Sequence, residues 1–316
     1  MSRVRVYIFL TLVLSFNQLS QHVFAQSERF QHISADNGLS HKYVFSILPD
    51  SLGRIWMGTY DGLNLYNGYE FKVFKSDPDD PYSLSHNWVT TIFKDKNGYM
   101  WVGTNGGGLN RLLEPVYIKK QDTIIHRSDW NFESFVYDAS DSFSLSSNSI
   151  TSICQDDYGR LWIGTFGGGL NKMVLDSDGN PRFYHYEAID DDHESIPVND
   201  IRTLMKDRSG SIWAGTDGGG LFKFMPASKP GKKPDFVLYP RKSSGKYALT
   251  NDNIGELEED GQGNIWIGTR GAGCFILPVD EKDADPEEAM FLKLNNANAR
   301  DQLTNNIIED IFHASD

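Results

Sequence analysis

The sequence predicts an all-β propeller of four-stranded antiparallel blades, five complete and a sixth begun, on three observations. A ten-residue pattern recurs five times, its spacing is that of a propeller blade, and strand-length apolar segments fill the space between copies without convincing helical periodicity. The pattern D-x-x-G-x-x-W-x-G-T runs from Asp50 to Thr59, Asp95 to Thr104, Asp156 to Thr165, Asp207 to Thr216 and Asp260 to Thr269. Successive tryptophans, Trp56, Trp101, Trp162, Trp213 and Trp266, lie 45, 61, 51 and 53 residues apart.

Each unit reads as four strands in order. An apolar segment such as Ile150–Ile153 or Ile201–Leu204 precedes the Asp and forms the innermost strand. Asp-x-x-Gly then makes a tight turn, in which Gly supplies the backbone freedom. The Trp-x-Gly-Thr segment is the second strand, and a glycine-rich turn such as Gly106–Gly108 leads into the third. An aromatic strand such as Phe71–Phe74 or Phe183–Tyr186 closes the unit, and Met290–Leu294 does so in the fifth. Phe30–Ile33 reads as an outer strand with no blade before it, and Leu303–Ile311 begins a sixth repeat that stops short of its Trp, so the ring is expected to be incomplete.

The 316 residues, with 43 acidic and 30 basic side chains and a formal charge of −13, have an ordered globular composition. The acidic balance argues against binding nucleic acid, which needs clustered Lys and Arg. Residues 1–25 read as a secretory signal peptide: Arg3 and Arg5, an apolar run from Val6 to Phe16 too short to span a bilayer, and cleavage after Ala25. An uncleaved anchor is the alternative. Residues 26–316 are then the propeller, outside the cytoplasm. Cys154 and Cys274 are expected to be buried thiols rather than a bridge.

Residues that repeat are assigned to the scaffold: the five tryptophans pack between neighbouring sheets, and Asp95, Asp156, Asp207 and Asp260 hold the turns. Candidate ligand-binding residues are those that vary on this frame. The position after Gly-Thr holds Tyr60, Asn105, Phe166, Asp217 and Arg270, and the position before the innermost strand holds Tyr43, Trp88, Ser149, Asp200 and Asn253. Aromatic rings stack on sugar faces, and polar or charged groups bind hydroxyls and acidic substituents. Tyr43, Tyr60 and Trp88 are expected to form one aromatic platform. No catalytic constellation, cofactor motif or metal-ligand spacing is recognised.

The units resemble the two-component regulator propeller repeat, through Asn148, Ile150, Asp156, Gly159, Leu161–Thr165 and Gly168–Asn171 with their counterparts in the other blades. That resemblance implies the periplasmic sensor region of a hybrid two-component regulator of Bacteroides-type bacteria. It further implies a seven-bladed ring, a following β-sandwich, a membrane span, and kinase, receiver and DNA-binding domains, with many members responding to carbohydrates. Only the propeller part is found here, so the segment is expected to be an input module and not itself an enzyme. Its expected partners are an oligosaccharide, the remaining blades and C-terminal domains of a parent chain, and a possible second copy. The alternatives are a secreted propeller enzyme acting on polysaccharide, as a lyase or glycosidase, and a passive interaction scaffold.

Overall fold

The computed structural model describes residues 32–113, 117–120, 123–126, 130–192, 194–227, 233–294 and 305–312. The expected signal peptide lies outside them, as do Phe30 and Gln31 of the strand expected at Phe30–Ile33; His32 and Ile33 are described and lie in no strand. The chain divides into Met1–Ile33 and Ser34–Asp316, and every described strand belongs to the second unit.

Five four-stranded antiparallel sheets succeed one another, each in simple sequential order. The first holds β1 (Val44–Pro49), β2 (Ile55–Thr59), β3 (Gly62–Tyr66) and β4 (Phe71–Phe74). The second holds β5 (Val89–Lys94), β6 (Met100–Thr104) and β7 (Leu109–Leu113). A separate hairpin of β8 (Tyr117–Lys120) and β9 (Thr123–His126) then precedes its outer strand β10 (Asn131–Phe135), which accounts for the longest interval between tryptophans. The third comprises β11 (Ile150–Gln155), β12 (Leu161–Thr165), β13 (Leu170–Leu175) and β14 (Pro181–Tyr186). The fourth comprises β15 (Ile201–Lys206), β16 (Ile212–Thr216), β17 (Leu221–Phe224) and β18 (Phe236–Tyr239). The fifth comprises β19 (Ile254–Glu259), β20 (Ile265–Thr269), β21 (Cys274–Leu277) and β22 (Leu292–Leu294). Two single 3-10 turns are the helical residues described.

The core lies between blades. Trp56 packs with Val89, Ile92 and Val102 of the second blade, and Trp101 with Ile150, Ile153 and Ile163 of the third. Trp162 packs with Ile201 and Leu204 of the fourth, and Trp213 with Ile254 and Leu257 of the fifth. These four rings are essentially without exposure, whereas Trp266 is only partly buried. A flat ring suits this role because it covers the facing sheet with one rigid side chain.

Each ring is also tied to its turn. The indole N–H donates to the Asp six residues earlier, at 3.3 Å for Trp56–Asp50 and 2.9 Å in the other four blades. In the third blade Asp156 also accepts the backbone N–H groups of Tyr158 and Arg160 and the Arg160 side chain, so its fully buried carboxylate is satisfied on both oxygens. The turn closes with Gly159 at φ 81°, a conformation that strongly favours glycine. Burial works against the charge of Asp260, but bonds from Trp266, Asn264 and Gln262 outweigh it and hold its pKa down at about 2.

The glycine of Trp-x-Gly-Thr serves blade contact. A methyl group at Gly103 would lie 2.6 Å from Ile150, and the same clash with the next inner strand arises at Gly58, Gly164 and Gly215. It arises again at Gly268 with Ile308. Ile308 N–H donates to the Thr269 carbonyl, and the Asn306 carbonyl accepts from Gly271 and Gly273 as that of Asn148 does from Gly106 and Gly108. Residues 305–312 therefore sit on the fifth blade as the inner strand of a next repeat would. A sixth or seventh sheet is not found among the described residues.

Cys154 and Cys274 are free and buried, as expected, and burial pushes the Cys274 thiol up to about 11.

Candidate axial binding site

The two variable positions of each repeat are neighbours in space. The backbone N–H after Gly-Thr donates to the carbonyl of the residue before the inner strand: Tyr60 to Tyr43, Asn105 to Trp88, Phe166 to Ser149, Asp217 to Asp200 and Arg270 to Asn253, at 2.9–3.3 Å. The Gly-Thr threonine is buried beside this bond, and in each blade its hydroxyl donates to the glycine carbonyl at the start of the next strand. Main chain and threonine thus hold this end of the blade together, which leaves the variable side chains available for other work.

A bulge follows in every inner strand. Pairing with the second strand slips between Val44 and Ser46, Val89 and Thr91, Ile150 and Ser152, Ile201 and Thr203, and Ile254 and Glu256. The extra residues are Phe45, Thr90, Thr151, Arg202 and Gly255. All five line one cavity of about 420 Å³, to which each blade contributes. Bulges commonly re-aim a side chain near a functional site. Thr90 and Thr151 turn their hydroxyls to the inner-strand carbonyls of the next blade, Ile150 and Ile201, at 2.7 and 2.6 Å. Phe45 and Arg202 have no such hydroxyl, and their larger side chains fill the wall.

Of the eight predicted residues, Trp88, Asn105, Phe166 and Arg270 line this cavity. Tyr60 stands behind Trp88, with ring centroids 4.7 Å apart. Tyr43 does not join the expected platform: it meets His41 at 5.4 Å, and His41 in turn meets Tyr60. Its place is taken by Phe45, whose ring lies 6.0 Å from Trp88 and 6.5 Å from Tyr60. The bulge is the reason, because it brings the residue two places later to the cavity. Asp200 is a loop brace, its carboxylate accepting the Gly167 N–H at 2.8 Å. Asp217 stands one contact away from the cavity, as the ion-pair partner of Arg202.

Phe45, Arg202 and Glu309 were not singled out from the sequence; their signal is position: Arg202 and Glu309 come one residue past Ile201 and Ile308, which touch the glycine of the preceding blade, and Phe45 holds the same place in the first inner strand. The side chains divide by type. Phe45, Trp88 and Phe166 come from the first three blades, and Arg202 and Arg270 from the fourth and fifth. Arg270 passes over Gly255 and pairs with Glu309 at 3.1 Å. Two buried donors, Trp88 Nε1 and Arg202 Nε, have no hydrogen-bond partner.

Fold and cavity define a repeat β-propeller with a variable axial opening. The two-component regulator propeller family matches residues 38–61, 83–106, 144–167, 195–218 and 248–271, so each blade carries one copy of that family's repeat. Among curated proteins, a histidine kinase P4 of Formosa agariphila is 32% identical over 77 residues, which is 24% of this chain and 6% of that protein. Among solved structures, the extracellular domain described as part of a hybrid two-component system of B. thetaiotaomicron matches at 22% identity and TM-score 0.51, over 89% of this chain and 39% of that one. A second extracellular domain from the same organism, described as part of a one-component system, matches at 21% identity and TM-score 0.55, over 84% and 33%. At these identities the structures speak for the fold, and the chain spans well under half the length of each relative.

Proposed function

We propose that this propeller is the extracytoplasmic, ligand-sensing part of a hybrid two-component regulator, that it binds an oligosaccharide in the axial cavity, and that it is not itself an enzyme. The carrying observation is the cavity, to which every blade gives a residue from a bulge that the scaffold repeats without change, Phe45, Thr90, Thr151, Arg202 and Gly255 in turn. The regulator repeat carried by each blade supports the signalling role, and the extracellular domains among the chain's structural relatives support the location. Three aromatic rings beside two guanidinium groups suit a sugar, whose faces are apolar and whose edges carry hydroxyls. Binding would bias the arrangement of blades and pass to kinase and DNA-binding parts of a parent protein that control polysaccharide-utilisation genes.

The test is a thermal-shift screen of the purified chain against oligosaccharides, with product analysis of the same samples. A ligand at a hundred times its Kd stabilises by about 2.7 kcal/mol, an easily read shift. A selective shift with the sugar recovered intact supports sensing, sugar cleavage moves the protein to the enzymes, and silence across the panel overturns oligosaccharide binding.

A further inference from the structure

Resting on that reading, we infer that the axial cavity selects an acidic oligosaccharide, whose sugar ring lies on the Phe45, Trp88 and Phe166 side and whose carboxylate or sulfate is taken by Arg202 and Arg270.

Side chains are unevenly distributed around the opening. The bulge position carries an aromatic ring in the first blade and a guanidinium in the fourth, and the position after Gly-Thr carries an aromatic ring in the third and a guanidinium in the fifth. A ligand that spans the opening therefore meets ring faces at one end and, at the other, two guanidinium groups paired with Asp217 and Glu309. Phe45 and Phe166 keep about half of their surface exposed, so contact area is available for stacking.

The donors at the cationic end are underused. A guanidinium offers five N–H groups in a planar fork suited to the two oxygens of a carboxylate or sulfate. Arg202 spends one terminal nitrogen on Asp217, while its Nε is buried and has no partner. Arg270 likewise uses one terminal nitrogen, on Glu309. That pair is loosely held, with 42% and 68% of the two side chains exposed, and exposed pairs contribute little. An incoming anion can replace the Glu309 carboxylate at small cost. A buried donor without an acceptor is unfavourable, and Trp88 Nε1 is a second one in the same wall. An anionic oxygen is the strongest acceptor a sugar carries, and it matches the terminal N–H groups that Arg202 and Arg270 leave unused. Gly255 at the fifth bulge leaves the space across which Arg270 extends, and a larger residue there would crowd it.

The experiment uses the whole chain and matched sugars: galacturonate, mannuronate, guluronate and glucuronate oligosaccharides, each beside its methyl ester, and sulfated galactan oligosaccharides beside their desulfated forms. Calorimetry at two salt concentrations is expected to give at least one acid that binds tenfold or more tightly than its neutral partner, and more weakly at high salt. The uronate and sulfate arms decide which anion is taken. Arg270→Gln changes an exposed side chain and is expected to remove most of that preference with the melting temperature unchanged; Arg202→Gln, made together with Asp217→Asn so that no carboxylate is stranded, is expected to remove the rest. Equal binding of charged and neutral partners, or a preference that survives both variants, overturns the selectivity while leaving oligosaccharide binding intact. No binding by any member overturns both.

Discussion

At one end of every blade Asp50, Asp95, Asp156, Asp207 and Asp260 close the same turn on the same indole. At the other end the residue after Gly-Thr and the residue before the inner strand differ in every blade, and the bulged residue differs in all but the second and third, where it is Thr90 and Thr151. The first end is held by side chains: a buried carboxylate and a buried indole satisfy one another, and either one alone would be left with an unmet polar group. The second end is held chiefly by main chain and by the buried threonine, with Asp200 adding a side-chain brace to Gly167 at one seam. Repetition therefore falls where side chains carry the fold, and variety where the backbone does.

Substitutions at the two ends should separate cleanly. The largest loss is expected at the first: Trp162→Ala opens a cavity between the third and fourth blades and should cost about 3–5 kcal/mol in a denaturant titration. Trp266, which packs with less burial, should cost clearly less when truncated, and equal losses would break the inter-blade account. Glu256 gives a pH-dependent test at the boundary. It stands where Ser46 and Ser152 bond to the next blade, and burial, with Asp310 and Glu258 nearby, raises its pKa from 4.5 to about 7. Because the folded value is the higher one, the folded state favours the protonated acid. Its contribution is complete below pH 4.5 and is lost as pH rises through 7, by up to about 3 kcal/mol. Glu256→Gln should stabilise the protein at pH 8 and flatten the profile, read from melts across pH 5 to 8.5.

Asp156→Ala strands the Trp162 indole and two backbone donors and should cost about 2–3 kcal/mol. Gly103→Ala forces a methyl against Ile150 and should cost about 1–3 kcal/mol. Phe166→Ala, at the variable end, should change stability by no more than about 0.5 kcal/mol yet remove the ligand-induced thermal shift. A large loss of stability there would mean that the axial end also carries the fold.

The sequence by itself determined the blade, its turn, its tryptophan and the division between repeated and variable positions, because each rests on contacts a few residues apart that recur in the same order. Trp88, Asn105, Phe166 and Arg270 were legible as cavity residues since they flank those patterns. Phe45 and Arg202 were not, and Phe45 stands where Tyr43 was expected, because a bulge has no signature in side-chain pattern: any residue fits the extra place, and the slip in pairing shows only once two strands meet. The neighbourhood of Glu256 and the seat of residues 305–312 on the fifth blade were likewise decided by tertiary structure. Both depend on what a neighbouring segment presents across the seam, and those contacts join residues far apart in the chain, Glu256 with Asp310 and Gly268 with Ile308.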